Sequence, residues 1–329
     1  MAPNSNLSNG WSQTVERAVR LRASLFGPFG KEAETNAYRL LNGAGDGAEG
    51  FTVDVYAGFL AIHLLNSASG ENAPALVDAL SAALSPRGIV QKLRYQPTGR
   101  GKLPGEVVWG ESPPGALRVL ENGVPFEVEL LEGFHTGLFT DMRDEHSRMR
   151  QLACGKKVLN TFAYTGAFSV TAALGGAKVV TSVDVVAKVL DRAKRNFALS
   201  GLDPAAHHFA RMEVIEYLGM ASRRGWSFDA IVLDPPTFAA YKSGRWSART
   251  GYGQLLKLAL GVLAPEGLIW AATNTESTPP ERFERLIHDV VQEAGRSVKL
   301  IAISGLPRDY PTRSDNPQAQ YLKVHVFQA

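Results

Sequence analysis

The stretch FDAIVLDPPTF, residues 228–238, decides the fold class of this chain. Mostly apolar residues lead directly into Asp234, and Pro235 and Pro236 then restrict the backbone beyond it. A short apolar run bounded in this way is typical of a buried strand. We therefore expect Asp234 to stand at the tip of a strand, with a backbone stiffened by the two prolines behind it.

Strands and helices alternate around this stretch, from about residue 131 to the end of the sequence. Besides the strand 228–233, we predict strands at 158–162, 179–183, 208–211, 268–272, 298–304 and 321–327, and helices at 169–174, 186–200, 214–223, 253–263 and 281–293. This alternation predicts an α/β fold with a Rossmann-like, doubly wound, mostly parallel sheet of seven strands. Such sheets bind ligands outside the carboxyl ends of their strands.

The residues before 131 follow a different pattern. Short alternating strands are predicted at 37–43, 51–56 and 59–65, followed by a helix at 73–84, a strand from Ile89 and a hairpin about Asn122-Gly123. We therefore predict three regions: a tail with an amphipathic helix (1–36), a small mixed α/β domain (37–130) and the α/β domain (131–329). The helix in the first region spans Ser12 to Phe26.

Composition excludes several classes of protein. Apolar residues make up 45% and charged residues 20% of the 329 positions, which is typical of a globular chain and excludes extended disorder. The sequence contains neither a membrane-spanning run nor a secretory signal, and its single cysteine, Cys154, cannot form an intrachain disulfide, so we expect a cytoplasmic protein without membrane attachment. The histidines lack zinc-ligand spacings, and no metal is expected. A net charge of +3 permits a polyanionic partner.

A nucleoside-binding pattern precedes the Asp234 strand. The run VLNTFAYTGAFSV, residues 158–170, leads from a strand through the small-residue turn at Gly166 into a helix, where a backbone can approach a ligand closely. About 20 residues later, Asp184 ends the next strand, where a carboxylate accepts hydrogen bonds from both ribose hydroxyls. Glu213 ends the third strand beside Met212, within reach of an adenine amino group. A tight turn without ligand is the alternative for Gly166 alone.

The glycine turn, Asp184 and the LDPPTF strand, in this order, resemble class I S-adenosylmethionine-dependent methyltransferases. The longer runs at 133–170 (GFHTGLFTDMRDEHSRMRQLACGKKVLNTFAYTGAFSV) and 306–327 (LPRDYPTRSDNPQAQYLKVHVF) are similar to bacterial methyltransferases of large-subunit (23S) ribosomal RNA. That group forms 5-methylcytosine or 7-methylguanine. The resemblance covers about residues 37 to 329.

The resemblance implies a set of cofactor-binding residues and an RNA substrate. The residues expected to bind S-adenosyl-L-methionine are Phe139, Arg143, Asn160, Phe162, Tyr164, Thr165, Gly166, Asp184, Val185, Met212, Glu213 and Asp234. Residues 37–130 correspond to the RNA-facing domain of the family. Relatives also carry an N-terminal PUA domain, and about 35 residues before Asn36 are too few to form one, which weakens the case for RNA.

The acceptor atom depends on position 274. Methylation of cytosine at C5 requires a thiolate that adds to the ring, and cytosine-modifying relatives carry a cysteine at the tip of the fifth strand. Alignment on PPERF places Asn274 there, and Cys154 lies before the first strand at the opposite edge. A nitrogen acceptor needs orientation rather than covalent catalysis. We therefore expect nitrogen methylation, with Asp234, the Pro235 carbonyl and Asn274 orienting a base that stacks on Phe238.

A basic and aromatic segment, AAYKSGRWSARTGYG at 239–253, follows Phe238. We predict a loop that binds single-stranded RNA through Lys242, Arg245, Trp246 and Arg249, with Tyr241 and Tyr252 as further rings. A solvated loop with incidental charges is the alternative. A second predicted cluster lies in the small domain and consists of Lys92, Arg94, Arg100 and Lys102.

Three functions remain open from the sequence. The first is a methyltransferase that acts on a base of RNA, with ribosomal RNA as substrate. The second is a small-molecule methyltransferase, which the missing PUA domain favours. The third is a non-catalytic RNA-binding relative. The sequence is also compatible with a homodimer.

Overall fold

The computed structural model describes residues 5–95, 104–241 and 244–329, with side chains described except at 5–9, 239–241, 244–245 and 317. The chain divides into two compact units. Unit 1 comprises Met1–Arg143 and Pro307–Pro317, and unit 2 comprises Asp144–Leu306 and Gln318–Ala329. The boundaries predicted at 36/37 and 130/131 both fall inside unit 1, and so does a late segment that we predicted within the C-terminal domain.

Unit 1 is a mixed α/β unit. Its elements are α1 (Ser5–Phe26), β1 (Ala37–Asn42), β2 (Phe51–Tyr56), β3 (Phe59–Leu64), α2 (Ser69–Leu84), β4 (Gly88–Leu93), β5 (Glu106–Gly110), β6 (Leu117–Glu121) and β7 (Val124–Val128). Strands β1 to β5 form one sheet in sequence order, with β3 and β4 parallel and joined by α2, while β6 and β7 form a separate hairpin. The predicted strands, helices and hairpins are confirmed, except that α1 begins at Ser5 and not at Ser12, and β5 was not predicted.

Two tight turns fix the register of the hairpins in unit 1. At the β2–β3 turn, Ala57 and Gly58 have φ of 48° and 85°, and at the β6–β7 turn Asn122 and Gly123 have φ of 49° and 76°. Two successive left-handed residues give the turn twist that matches paired antiparallel strands. These dipeptides therefore close the hairpins that the sequence predicts at both positions.

The sheet of unit 1 buries an apolar set of side chains and a charged set. Val53 and Val55 of β2 and Leu60 and Ile62 of β3 pack in a core with α1 and α2. Because side chains alternate along a strand, Asp54 between the two valines points away from this core. Asp54 is nonetheless buried, so its charge needs partners inside the unit.

Arg39 and His63 supply those partners, at 2.6 and 3.1 Å from the Asp54 carboxylate. Other ion pairs hold the late segment 307–317 in place. Arg22 donates to both carboxylate oxygens of Asp46, each at 2.7 Å, and its Nη2 also donates to the carbonyl of Asp309 at 2.7 Å. The fully buried Asp309 carboxylate pairs with Arg143 and accepts the backbone N–H of Arg39 at 3.0 Å. A residue close to the end of the sequence thereby completes the interior of unit 1.

Unit 2 carries the doubly wound sheet. Its elements are α3 (Arg143–Leu152, of which Arg143 belongs to unit 1), β8 (Lys157–Thr161), α4 (Ala167–Leu174), β9 (Val179–Asp184), α5 (Ala187–Leu199), β10 (His208–Arg211), α6 (Val214–Arg223), β11 (Phe228–Leu233), β12 (Phe238–Tyr241), β13 (Gly244–Ser247), α7 (Ala248–Leu260), β14 (Leu263–Thr273), α8 (Pro280–Glu293), β15 (Lys299–Ser304) and β16 (Lys323–Gln328).

The seven-stranded, mostly parallel sheet is confirmed. Its order is β10-β9-β8-β11-β14-β16-β15, with β16 antiparallel to both of its neighbours. The chain runs outward from β8 through β9 to β10, returns to place β11 beside β8, and then runs outward in the other direction. The carboxyl ends of β8 and β11 therefore flank the point where the strand order reverses, which is where open α/β sheets bind ligands.

Three parts of unit 2 differ from the prediction. Helix α3 was not predicted, because its sequence RDEHSRMRQL has few apolar residues to mark a buried face. The segment after Phe238, predicted as a loop, pairs residues 238–241 with 244–247 as a hairpin that leads into α7. Helix α7 begins at Ala248 and β14 at Leu263, so the predicted helix 253–263 is shifted by several residues.

Candidate functional site

The register of the sheet brings the predicted strand tips to one level. Thr161 of β8 pairs with Val183 of β9 and with Leu233 of β11. The next residue on each outer strand, Asp184 and Asp234, therefore stands at the carboxyl edge on either side of β8. Two strand spacings separate them, about 10 Å between backbones. The carboxylates that the sequence singled out share one edge of unit 2.

The loop after β8 is held in an uncommon backbone conformation by Asp184. Phe162, Tyr164 and Gly166 have φ of 54°, 50° and 82°. One carboxylate oxygen of Asp184 accepts the N–H of Tyr164 at 3.0 Å, and the other accepts the N–H of Val186 at 2.9 Å. Each oxygen retains a second lone pair. Asp184 can therefore fix the loop and accept hydrogen bonds from a ligand at the same time.

Gly166 is required by packing as well as by its backbone conformation. A Cβ atom at this position would lie 2.8 Å from Cβ of Ala193 on α5, closer than side chains approach one another. Glycine was predicted at this turn because a ligand approaches the backbone closely. The close approach of helix α5 is a second reason for glycine here. Thr165 beside it is buried, and its carbonyl accepts from the Asn196 amide at 2.9 Å.

Asn160 lies within β8, below this loop. It is buried, and its amide donates to the hydroxyl of Ser169 on α4 at 2.9 Å. The Ser169 hydroxyl lies 2.8 Å from that of Ser182 on β9. Asn160 therefore ties two strands to α4, and its predicted contact with the cofactor stays a prediction.

The β10 end of the edge adds further predicted residues. The N–H of Met212 donates to the carbonyl of Asp184 at 3.1 Å, which places Met212 directly beside that carboxylate. Glu213 follows as the residue that precedes α6, and both side chains are half-buried. Val185 is 41% exposed at the same edge. An apolar side chain and a carboxylate thus lie next to Asp184.

The predicted acceptor residues meet at the other side of β8. Asp234 is half-buried, Pro235 is buried, and Phe238 has 77% of its side chain exposed. The hydroxyl of Thr237 donates to Oδ1 of Asn274 at 2.9 Å, which joins the end of the LDPPTF run to the tip of β14. Sequence reasoning missed Thr237, although it lies within the quoted motif.

Two aromatic residues predicted as rings for unpaired bases have other surroundings. Tyr252 is buried on α7, and its hydroxyl donates to the carbonyl of Leu233 at 3.2 Å. Burial, with a contribution from Asp234, raises the pKa of Tyr252 well above its ordinary value. Trp246 is half-buried against the core, with its ring 6.2 Å from that of Phe162. The prediction for Tyr252 is wrong, because its ring faces the core.

Of the three cations predicted to bind RNA after Phe238, Arg249 alone has a described side chain. Arg249 is exposed on α7. Lys242 and the side chain of Arg245 lie outside the described residues, as do Arg100 and Lys102.

The two described members of the basic cluster predicted in the small domain lie in unit 1, where their contacts differ from those expected of a surface cluster. Lys92 is 2% exposed, and burial lowers its pKa to about 8. Arg94 donates to Nδ1 of His63 at 3.0 Å and lies over the ring of Phe134. An exposed track is therefore wrong at Lys92, whose side chain strand β4 turns inward, whereas Arg94 follows β4 and is half-buried.

Phe139 and Arg143 belong to unit 1. Phe139 is 40% exposed, whereas Arg143 is 4% exposed and its guanidinium pairs with Asp309. Their predicted part in cofactor binding stays a prediction.

Cys154 is exposed and precedes β8, at the edge opposite Asp234. The sequence favours a packed or inert thiol at this position; the thiol is not packed, and its inertness stays a prediction. Within the described residues, no group of three or more His, Cys, Asp or Glu side chains is placed to hold a metal ion. No helix in the part of the chain that the structure describes is both long and apolar enough to cross a bilayer.

A family model described as S-adenosylmethionine-dependent methyltransferase matches residues 39–328, which is most of the chain and both units. The chain belongs to this family. Its cofactor is therefore S-adenosylmethionine, and the edge that carries Asp184 and Asp234 is where a sheet of this topology binds one.

Curated relatives and a solved structure agree with this membership. YwbD of Bacillus subtilis is 37% identical over 316 residues, covering 95% of this chain and 79% of its own. A ribosomal RNA large subunit methyltransferase of Deinococcus radiodurans is 34% identical (97% and 78% covered), and the ribosomal RNA large subunit methyltransferase I of Yersinia pseudotuberculosis is 34% identical (88% and 73% covered). The crystal structure of SMU.776 with SAH superposes with a TM-score of 0.90 at 29% identity, covering 98% of this chain and 82% of that one.

Proposed function

We propose that this methyltransferase transfers a methyl group to a base of large-subunit ribosomal RNA. The observation that carries the proposal is the exposed Phe238, which directly follows Thr237, the residue bonded to Asn274, because an open aromatic face near polar groups suits an unstacked base. The Deinococcus radiodurans and Yersinia pseudotuberculosis relatives, both named for large-subunit ribosomal RNA, support it. An RNA substrate also agrees with a cytoplasmic enzyme.

The cofactor residues are assigned by their chemistry. Asp184 accepts hydrogen bonds from the ribose hydroxyls through the lone pairs that Tyr164 and Val186 leave available. Glu213 accepts from the adenine amino group, and the apolar surface of Val185 packs against the adenine ring. When bound, the cofactor supplies a methyl group on a positively charged sulfur.

The acceptor is a nitrogen rather than cytosine C5. C5 methylation requires a thiolate at the ring, and the tip of β14 carries Asn274 instead of a cysteine. Cys154 precedes the five-residue strand β8, so the length of that strand alone separates it from the carboxyl edge by about 15 Å. A nitrogen already holds a lone pair, and orientation by Asp234, the Pro235 carbonyl and Asn274 meets its need. Exposed Arg249 then contacts RNA phosphates.

The test uses the purified protein, labelled S-adenosylmethionine and ribosomal RNA from a strain that lacks the gene. We expect one labelled nucleoside in large-subunit RNA, with the methyl group on nitrogen by mass spectrometry. The variant Asp234→Ala should lower kcat/KM by about 10²-fold or more.

Two outcomes would contradict the proposal. Label that stays out of RNA and enters a small-molecule fraction would replace the substrate class. A covalent adduct with RNA containing 5-fluorocytidine would show that a nucleophile attacks the ring, which Asn274 cannot provide.

A further inference from the structure

The hydrogen bond between Thr237 and Asn274 determines which end of the Asn274 amide is available. An asparagine side chain has one accepting oxygen and one donating NH₂ group. Because the Thr237 hydroxyl donates to Oδ1 at 2.9 Å, Oδ1 faces Thr237, and Nδ2 with its N–H groups lies on the other side of the planar amide. Asn274 is exposed and follows directly after β14, whose last residue is Thr273. The tip of β14 therefore offers N–H groups to a bound molecule.

A buried lysine holds the backbone that carries this amide. Lys323 is 6% exposed, and its ammonium donates to the carbonyl of Thr275 at 2.8 Å. The N–H of Thr278 donates to the same carbonyl at 3.1 Å, and the N–H of Thr275 donates to the hydroxyl of Thr273 at 3.3 Å. Three hydrogen bonds thus fix the backbone of Thr275, the residue after Asn274.

The position of Lys323 explains how it reaches this loop. Lys323 is the first residue of β16 and pairs with Thr273, the last residue of β14. The backbone pairing of the two strands ends at this pair. The side chain of Lys323 extends beyond it to the loop that follows β14. Burial lowers the pKa of Lys323, with an opposing contribution from Glu276, so keeping an ammonium here is costly. An apolar side chain of similar length would fill the volume without that cost.

We propose that Thr237 and Lys323 are positioning residues that hold Asn274 with its amide N–H groups toward the acceptor base. The enzyme then selects a base edge that presents a carbonyl oxygen or an unprotonated ring nitrogen at Asn274. An edge that presents an amino group at that point is rejected, because two donors would face each other. This inference rests on the proposed transfer of a methyl group to a base of RNA.

The first test is a kinetic comparison on the ribosomal RNA substrate. Asn274→Asp keeps the shape but presents an oxygen where the amide N–H was, and should lower kcat/KM by about 100-fold. Thr237→Val removes the hydroxyl at nearly constant volume, lets the amide turn over, and should lower kcat/KM by about tenfold. Thr237→Ser should recover most of that loss. Thr278→Val, in the same loop, is the matched control and should stay within twofold.

The second test separates positioning from folding. Lys323→Met fills the same space without an ammonium, and its melting temperature should equal or exceed that of the wild type. Its kcat/KM with RNA should nevertheless fall by about tenfold, as expected for the loss of one interaction that orients a contacting group. SAH dissociation constants, measured by calorimetry, should stay within twofold of the wild type in all variants.

The outcomes distinguish this inference from the function on which it rests. If the wild-type enzyme methylates no RNA, both fail. If the wild type is active and Asn274→Asp or Lys323→Met matches it in kcat/KM, the positioning roles alone are overturned. Activity lost equally in Thr237→Val and Thr237→Ser would also overturn them, because the hydroxyl would then be irrelevant.

Discussion

The buried aspartates of unit 1 lie in ion pairs, whereas the aspartates at the sheet edge of unit 2 remain half-exposed. Asp46 and Asp309 are both buried, and each accepts from at least one arginine. Asp184 and Asp234 are only half-buried at the carboxyl ends of β9 and β11, and the hydrogen bonds of Asp184 come from backbone N–H groups.

From this contrast we predict that the buried charges maintain the fold and that the edge carboxylates serve a ligand. A buried carboxylate whose oxygens are taken by arginine has little capacity left, and removing its partner leaves an uncompensated charge. A half-exposed carboxylate that accepts two backbone N–H groups keeps lone pairs for a bound molecule. Substitutions in unit 1 should therefore change stability, and those at the edge of unit 2 should change binding.

The largest expected effect is on the stability of unit 1. Arg22→Met leaves Asp46 buried without its guanidinium and should lower the free energy of unfolding by about 3 to 5 kcal/mol. Arg20→Met, on the same helix, breaks only the exposed 3.9 Å pair with Glu16 and should change it by about 0.5 kcal/mol or less. Urea denaturation measures both. Equal effects would remove the distinction between buried and exposed pairs.

The next effect is on cofactor binding in unit 2. Asp184→Asn replaces an oxygen that faces a backbone N–H or a ribose hydroxyl by an NH₂ group, and should weaken SAH binding by about 50-fold. Asp191→Asn breaks an exposed pair with Lys194 at 3.4 Å and should leave affinity within twofold. Calorimetry decides. If Asp184→Asn binds SAH as tightly as the wild type, the carboxylate holds the loop after β8 and does not contact the cofactor.

A smaller effect concerns pH and the charges of unit 1. Burial lowers the pKa of His63 from 6.5 to about 4, although contact with Asp54 opposes this shift. Below about pH 6.5 the unfolded chain binds a proton at His63 that the folded unit accepts only near pH 4. The free energy of unfolding should therefore fall as the pH is lowered from about 6.5 to 4. Between pH 7 and 5 the expected loss is about 2 kcal/mol.

The matched variant for this prediction is His63→Gln, which does not titrate. Its free energy of unfolding, measured by urea denaturation, should depend less on pH between 7 and 5 than that of the wild type. Asp54, whose pKa Arg39 and His63 lower to about 2 against the opposing effect of burial, contributes only at lower pH. Parallel pH profiles for both proteins would contradict the assignment to His63.

The smallest effect tests packing at the unit 2 edge. Gly166→Ala and Gly201→Ala both force a left-handed alanine, since φ is 82° and 71°. Only at Gly166 does the new Cβ meet another atom, Cβ of Ala193 at 2.8 Å, so Gly166→Ala should cost about 1 kcal/mol more than Gly201→Ala. Thermal unfolding compares them. An equal cost would mean that α4 and α5 can shift apart.

The sequence predicts the parts of this molecule that local patterns determine. Apolar runs bounded by turn residues identify the strands of both sheets, and the order of Gly166, Asp184 and Asp234 along the chain predicts that they share one edge. That prediction holds because parallel strands of one sheet end on the same side.

Long-range contacts account for what the sequence does not predict. Tyr252 and Lys92 are residue types common on nucleic-acid-binding surfaces. Helix α7 and strand β4 nevertheless place them in the interior. Thr237 and Lys323 lie 86 positions apart in the sequence. Both contact the loop after β14, Thr237 through its bond to Asn274 and Lys323 because β16 pairs with β14. No local sequence pattern predicts such a long-range contact.

The placement of Asp309 in unit 1 has a consequence for biosynthesis. Arg22, Arg39 and Arg143 all depend on a residue that the ribosome adds some 166 positions after the last of them. During translation the Arg143 guanidinium, the Arg39 backbone N–H and one N–H of Arg22 lack these acceptors until the segment around Asp309 emerges. A chain released before this point would leave these donors without their acceptors, and we expect its first unit to be less stable than that of the full chain.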